Sequence, residues 1–233
     1  MLPIGILAGG YGTRLGDLGR NIPKSLVEVN GVPFIDLQLK LLRNAGYKKV
    51  VMCVSQKSEQ LIGHISKNPH ADLEIVYSFD GPEQLGTGGA VKNALGLLGS
   101  QFALIYGDSY LPINYRVIEQ EFLITQAPAL VTVYRNENEF EVSNLSVSNG
   151  MVMEYEKNTK QKHFSFVDYG LSYWNSETFL KFSTSGSFDL TDIFKNMINA
   201  QKLHAFEVKQ RFFEVGSLSG IDQLSKSLKG KNE

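Results

Sequence analysis

Ile4-Gly5-Ile6-Leu7-Ala8-Gly9-Gly10-Tyr11-Gly12-Thr13-Arg14-Leu15 is the stretch from which the rest of the chain is read. Ile4–Leu7 is a short apolar run of the kind that fills a buried strand, and the glycines begin at its carboxyl end. Three glycines in four positions let backbone approach a ligand closely, and consecutive amides at a strand end form a nest for an anion. Arg14 adds a planar five-donor cation suited to phosphate.

Outward from that stretch, apolar runs alternate with segments of helical spacing. Val50–Val54, Leu73–Phe79 and Phe102–Tyr106 read as strands, and Phe34–Asn44, Ser58–Ser66, Gly88–Leu98 and Ile113–Ile124 as helices, with Ala45-Gly46, Gly99 and Pro128 as stops. The alternation predicts an α/β fold with an open, mostly parallel, doubly wound sheet whose ligands bind at the carboxyl ends of the strands. After Ala129–Tyr134 the pattern changes. Val142–Val147, Met151–Tyr155 and Phe164–Tyr173 are strand-like, with an Asn149-Gly150 hairpin turn, and Leu190–Ala200 and Leu218–Leu228 are helical. The aromatics of Phe179–Phe182 and Phe206–Phe213 read as core. No Pro/Gly/Ser linker marks a boundary, so residues 1–233 read as one domain, with a β-rich extension over the edge of the first sheet.

Composition bounds the function. With 23 Lys+Arg against 24 Asp+Glu, and balance in both halves, there is no basic arm for nucleic acid. A single cysteine, Cys53, excludes an intrachain disulfide and a multi-cysteine zinc site. No apolar run reaches the ~18–20 residues needed to span a bilayer, so the expectation is a soluble, cytoplasmic protein with no membrane partner. The four histidines show no ligand spacing. Glycine, at 22 of 233 residues, exceeds the usual roughly 7%. Gly9, Gly10, Gly12, Gly86, Gly88, Gly89 and Gly107 fall at expected carboxyl ends of strands, where backbone would lie against a ligand.

Familiar phosphate loops do not fit. A Walker A loop needs Gly-Lys-Ser/Thr, whereas the nearest lysine, Lys24, follows Pro23. A dinucleotide fingerprint needs a third glycine where Leu15 stands, a helix opening directly, and an acid ending the second strand, where Cys53-Val54-Ser55-Gln56 stands. Gly216-Ser217-Leu218-Ser219-Gly220 fails as a nucleophile elbow because Leu218 is central; Ser217 or Ser219 is expected to cap the last helix. Pro23 fixes φ just before Lys24 and presents its ammonium from a stiff loop.

Taken together, Gly-Gly-x-Gly-Thr-Arg-Leu and Pro23-Lys24, followed by Gln84-Leu85-Gly86-Thr87-Gly88-Gly89-Ala90, Tyr106-Gly107-Asp108 and Phe213-Glu214-Val215-Gly216, resemble the sugar-1-phosphate nucleotidyltransferases. The resemblance is dense over residues 4–110 and sparse from about 134 to 217. It implies a Rossmann-like, GT-A-like nucleotidyltransferase fold, with a nucleotide half (1–125), a sugar-phosphate half (126–217) and a C-terminal helix and tail (218–233). It also implies an NTP attacked at its α-phosphorus by a sugar 1-phosphate, with release of pyrophosphate. Arg14 and Lys24 would be catalytic; Leu7, Ala8, Gly9, Gly10, Gly12, Thr13, Gln84, Gly86 and Thr87 would bind the nucleotide.

Mg2+ would be held by Asp108 and Glu214, the latter replacing the commoner aspartate as in the smaller heptose-type enzymes. A plain strand glutamate paired with Arg211 is the bland alternative. Tyr155-Glu156-Lys157 and Val167-Asp168-Tyr169-Gly170 resemble the sugar-phosphate segments, which implicates Glu156, Lys157, Asp168, Gly170 and, facing the sugar, Asn144. Asp168 stands where the family has Asn, exchanging an amide for an acceptor only.

The favoured activity is GTP with a heptose 1-phosphate for surface-polysaccharide synthesis. Gln84 keeps open a uridylyltransferase acting on a hexose or amino-sugar 1-phosphate. A non-catalytic nucleotide-sugar regulator would be expected to have lost charged residues, yet Arg14, Lys24, Asp108 and Lys157 are all present. The resemblance allows a homodimer, for which the sequence marks no self-complementary face.

Overall fold

The computed structural model describes residues 1–10, 22–55, 58–68, 70, 72–81, 84–136, 139–140, 142–157 and 163–230. Strand β1 (Ile4–Leu7) is followed by a 3-10 turn at Lys24–Leu26 and by a short ribbon of β2 (Glu28–Val29) and β3 (Val32–Pro33). That ribbon turns through Asn30 and Gly31, both at positive φ (52° and 76°), as a type I′ turn requires. Helix α1 (Phe34–Ala45) buries Phe34, Ile35, Gln38, Leu39 and Leu42, one face of a 3.6-residue period, and stops at Gly46 with φ 101°.

Strands β4 (Lys49–Val54), β5 (Glu74–Phe79) and β6 (Gln101–Tyr106) alternate with α2 (Glu59–Lys67) and α3 (Gly86–Leu98). In β4, Val50, Met52 and Val54 enter the core on one face while Val51 and Cys53 enter the core on the other. Helices cover both sides, so the strand is apolar at nearly every position. On the outside of α1, Asp36 accepts from His64 (2.9 Å) and faces His70 (3.2 Å), tying α2 and the segment after it to α1.

Next come β7 (Ser109–Tyr110), α4 (Tyr115–Thr125), β8 (Ala129–Arg135), β9 (Leu145–Ser148) and β10 (Met151–Tyr155), then β11 (Phe166–Asn175), α5 (Ser176–Phe182) and α6 (Leu190–Asn199), and finally β12 (Leu203–Val208), β13 (Phe213–Glu214) and α7 (Leu218–Lys229). The β9–β10 turn is Asn149-Gly150, at φ 50° and 71°. Side-chain caps set the helix starts: Asn175 Oδ1 accepts from the N–H groups of Glu177 and Thr178, and Ser217 Oγ from that of Gly220.

Nine strands form one sheet in the order β5-β4-β1-β6-β11-β8-β12-β10-β9. The first four are mutually parallel, β11 is antiparallel to β6 and to β8, and β12 returns parallel to β8. The sheet is therefore parallel in its first half and mixed beyond it. The second half does not lie over the edge of the first; β11 pairs directly with β6 along Gln101–Ile105 and carries the sheet onward. Neither α5 nor β12 was anticipated, because their aromatic residues were assigned only to the core. Among the described residues no helix is long and apolar enough to cross a membrane.

Candidate active site

The carboxyl ends of the parallel strands open into a cleft of about 460 Å³. Leu7, Ala8, Gly9 and Gly10 after β1, Lys24 and Ser25, Cys53 at the end of β4, Asp80 and Gln84 after β5, and Gly86, Thr87 and Ala90 of α3 line it, with Tyr106, Gly107, Asp108 and Asp189. It thus gathers seven of the nine residues expected to bind nucleotide, together with Lys24. Gly12, Thr13 and Arg14 lie outside the described residues. A second cavity, about 580 Å³, is lined by Asn144, Lys157, Asp168 and Gly170, all from the expected sugar-phosphate set. The two cavities share Thr87, Tyr106 and Asp108. Glu156 instead pairs with Lys195 of α6 at 2.9 Å.

Two small features bring the acids together. β13 pairs antiparallel with β7 so that Glu214 stands opposite Ser109, and the Val215 N–H donates to Asp108 O at 2.9 Å. Gln38, buried in α1, donates from Nε2 to the carbonyls of Tyr106 (2.9 Å) and Ser109 (2.8 Å), holding both ends of the turn that carries Asp108. Gln38 was missed in the sequence, where a polar residue on a helix face carries no mark of its partner.

Lys24 Nζ lies 2.6 Å from Asp108 Oδ2. A β-carbon placed on Gly216 would stand within 3.5 Å of Glu214 Oε2, Lys24 Nζ and Asp108 Oδ2 alike, so one cation and two carboxylates converge on a point that a β-carbon would crowd. Glu214 does not pair with Arg211. Its oxygens accept from Gly216 N–H and from Ser217 Oγ (2.7 Å), while the Arg211 guanidinium stacks 3.9 Å from the Phe140 ring centroid and donates to Gln223. Hard carboxylate oxygens at such a point suit Mg2+, which needs only one or two protein acids when phosphates and waters complete its shell. Among the described residues no group of three or more His, Cys, Asp or Glu could hold a metal ion.

Asp168 sits at the wall between β6 and the second cavity. Its Oδ1 accepts from Gly170 N–H (2.9 Å) and its Oδ2 from the hydroxyls of Tyr106 (3.0 Å) and Tyr155 (3.3 Å), and Asn144 Oδ1 accepts from its N–H (3.2 Å). Burial raises the Asp168 carboxyl above the usual range, against the opposing pull of these donors and of Lys157. The same burial, and the nearby carboxylate, push both tyrosines up, so they stay protonated donors.

Thr87 spends its hydroxyl on the scaffold. It donates to Asp189 Oδ1 (2.9 Å) and accepts from Leu190 N–H (2.9 Å), latching α3 to α6. Burial alone would raise the Asp189 carboxyl, but the Thr87 bonds and Lys157 bring it below the usual range. Gly88 and Gly89 lie in α3, their N–H groups donate to Phe188 O, and an added β-carbon would run into the Phe188 ring at Gly88 and into Leu85 at Gly89, so their small size serves close packing.

Residues 4–229 match the family described as nucleotidyl transferase. Over 109 residues the chain is 36% identical to the D-glycero-alpha-D-manno-heptose 1-phosphate guanylyltransferase of Campylobacter jejuni, covering 47% of this chain and 48% of that protein. Over 217 residues it is 29% identical to the bifunctional protein GlmU of Methanococcus maripaludis, covering 91% of this chain and 50% of that protein. The chain thus spans about half the length of these relatives. In structure it resembles HddC from Yersinia pseudotuberculosis complexed with GMP-PN, with a TM-score of 0.80, 22% identity, and 98% of this chain and 100% of that one covered.

Proposed function

The chain belongs to the nucleotidyl transferase family, and we propose that it moves a nucleotidyl group from an NTP to a sugar 1-phosphate. The observation that carries this is the meeting of the two cavities at Asp108, with Lys24 and Glu214 alongside. A nucleotide in the first cleft and a phosphorylated acceptor in the second would bring their phosphates together there.

In the reaction an acceptor phosphate oxygen bonds to the α-phosphorus, the bond from that phosphorus to the β-bridging oxygen breaks, and pyrophosphate leaves. Transfer of this kind needs alignment and charge neutralisation more than covalent participation. The Lys24 ammonium, presented from the stiff turn after Pro23, neutralises charge growing on the α-phosphate. Arg14 is assigned the β- and γ-phosphates from its place in the motif. Asp108 and Glu214 would hold Mg2+, which supplies Lewis-acid polarisation of the phosphates. Lys157 would meet the acceptor phosphate, while Asn144 and Asp168–Gly170 of β11 would face the sugar.

GTP and a heptose 1-phosphate are the substrates we favour, on the Phe213-Glu214-Val215-Gly216 segment and the activity for which the Campylobacter relative is named. Gln84 in the first cleft supports a second reading, UTP with a hexose or amino-sugar 1-phosphate, because its amide can both donate to and accept from a pyrimidine edge. Pyrophosphate release with four NTPs against a panel of sugar 1-phosphates is the test. Release with one pair is the expected result. No release with any pair, alongside tight binding of an NDP-sugar, would make the protein a sensor and not an enzyme.

A further inference from the structure

Asp80 is an acid of the nucleotide cleft that neither the transfer chemistry nor the Thr87–Asp189 latch uses. It follows β5 directly, its N–H donating to Val54 O at 2.9 Å. The order β5-β4-β1-β6 places it three strands from the turn carrying Asp108, about 14 Å along the sheet edge at roughly 4.8 Å per strand. If Lys24 and Asp108 mark the phosphate end of the cleft, Asp80 and Gln84 stand at the opposite end, where a nucleoside running across β1 and β4 would place its base.

Leu7, Cys53 and Ala90 line the same cleft as those two groups. Cys53 is buried beside Asp80, and burial, helped by that neighbouring carboxylate, pushes its thiol up to about 12, so it contributes no charge. Among the described residues no cation pairs with Asp80. The Leu85 N–H donates to it, and burial, the larger effect, raises its carboxyl above the usual range. A partly buried carboxylate in this setting gains most from a ligand that brings two adjacent N–H donors.

We propose that Asp80 selects guanine, its two oxygens accepting from N1–H and N2–H of the base while the Gln84 amide donates to O6. The inference rests on the nucleotidyl-transfer reading and narrows its base. Guanine alone among the four common bases offers two neighbouring donors on that edge. Uracil presents a single N–H flanked by carbonyl oxygens, and adenine and cytosine each place a ring-nitrogen lone pair beside their amino group. Each would leave Asp80 facing a lone pair, and a site built to receive an N–H rejects a ligand lacking it strongly.

Equilibrium binding of GTP, ITP and UTP to the wild-type protein and to Asp80→Asn, read by calorimetry, tests this independently of turnover. Wild type should bind GTP at least about 100-fold more tightly than UTP, and ITP, which lacks the 2-amino group, about tenfold more weakly than GTP. Asp80→Asn should lose most of the GTP preference while keeping its affinity for UTP. Equal binding of GTP and ITP by wild type, or an unchanged GTP:UTP ratio in Asp80→Asn, overturns the assignment, and the ITP comparison needs no variant to fold. Selective GTP binding lost in Asp80→Asn without pyrophosphate release from any pair would uphold this inference and overturn the proposed transferase activity.

Discussion

The Lys24 ammonium sits 2.6 Å from Asp108 Oδ2, across 84 residues of sequence, at the point where the nucleotide cleft opens toward the second cavity. The pair joins the group assigned to the α-phosphate to one assigned to the metal. Lys24→Ala should lower kcat by about 10²- to 10³-fold, the usual loss when one donor aimed at developing charge is removed. The KM for NTP should move little by comparison. Asp108→Asn should instead raise the Mg2+ concentration for half-maximal rate by about tenfold or more, and EDTA should stop wild-type turnover. Full activity of Asp108→Asn at limiting Mg2+ would remove it from the metal site.

Gly216 tests the same convergence from the other side. A methyl group there meets the ends of Glu214, Lys24 and Asp108, all of which are side chains able to swing away. Gly216→Ala should therefore keep its fold, with a melting temperature close to wild type, and lose activity by about 10²-fold because the displaced groups no longer align. An active Gly216→Ala would show that the three groups need not meet.

Gly86 gives the opposite pattern. Its φ is 73° and an added β-carbon would run into the Phe188 backbone, which cannot swing aside. Gly86→Ala should cost about 2–4 kcal/mol from left-handed strain and overpacking together, a fall in melting temperature of about 5–15 °C for a chain of this size. Gly96, in the same helix with open space around it, is the control. Gly96→Ala should stabilise by up to about 1 kcal/mol. Thermal melts of both variants separate a packing role at position 86 from mere helix propensity.

What the sequence made legible followed from local rules. The first four parallel strands could be read from apolar runs ended by glycine or polar turns, and the Asn149-Gly150 hairpin from its turn chemistry. Asn30-Gly31 carried the same signal between Val29 and Val32 and could have been found the same way. The position of β11 could not be read, because which strand pairs with β6 is set by long-range packing. The β13–β7 pairing that brings Glu214 beside Asp108 is two residues long and leaves no periodicity. Gly88 and Gly89 look like ligand-binding residues in a motif, yet their N–H groups turn to Phe188, about 100 residues away, and Thr87, which lines both cavities, gives its hydroxyl to Asp189. A motif names the residues near a site without saying which of them face it.

Asp168 yields a pH prediction with a definite sign. Its folded carboxyl titrates above the unfolded value of about 3.9. As pH rises through that window the unfolded chain releases its proton first, so ionisation favours unfolding and stability declines. The cost is complete above the folded value and absent below the unfolded one. Asp168→Asn keeps an oxygen for Gly170 and an amide able to meet the two tyrosine hydroxyls, and carries no charge. It should melt above wild type near pH 7, with the gap closing as pH falls toward 3. A wild type that melts higher at neutral pH would mean the hydrogen bonds of Tyr106 and Tyr155 outweigh the burial of the carboxylate.

Lys157 and Glu156 are neighbours in sequence with separate fates, and comparing them tests which side chain meets the acceptor. Lys157 lines the second cavity and its charge reaches Asp168 and Asp189. Lys157→Ala should raise the KM for sugar 1-phosphate by about 10- to 100-fold, the loss of one charge-assisted hydrogen bond of about 1.5–3 kcal/mol, and leave the KM for NTP nearly unchanged. Glu156 pairs with Lys195 where both are nearly half exposed, a bridge worth at most about 1 kcal/mol. Glu156→Ala should therefore alter neither KM by more than about threefold and lower the melting temperature by no more than about 4 °C. Steady-state kinetics with each substrate varied in turn read both outcomes. A large rise in sugar 1-phosphate KM for Glu156→Ala would mean that Glu156 leaves Lys195 to contact the sugar.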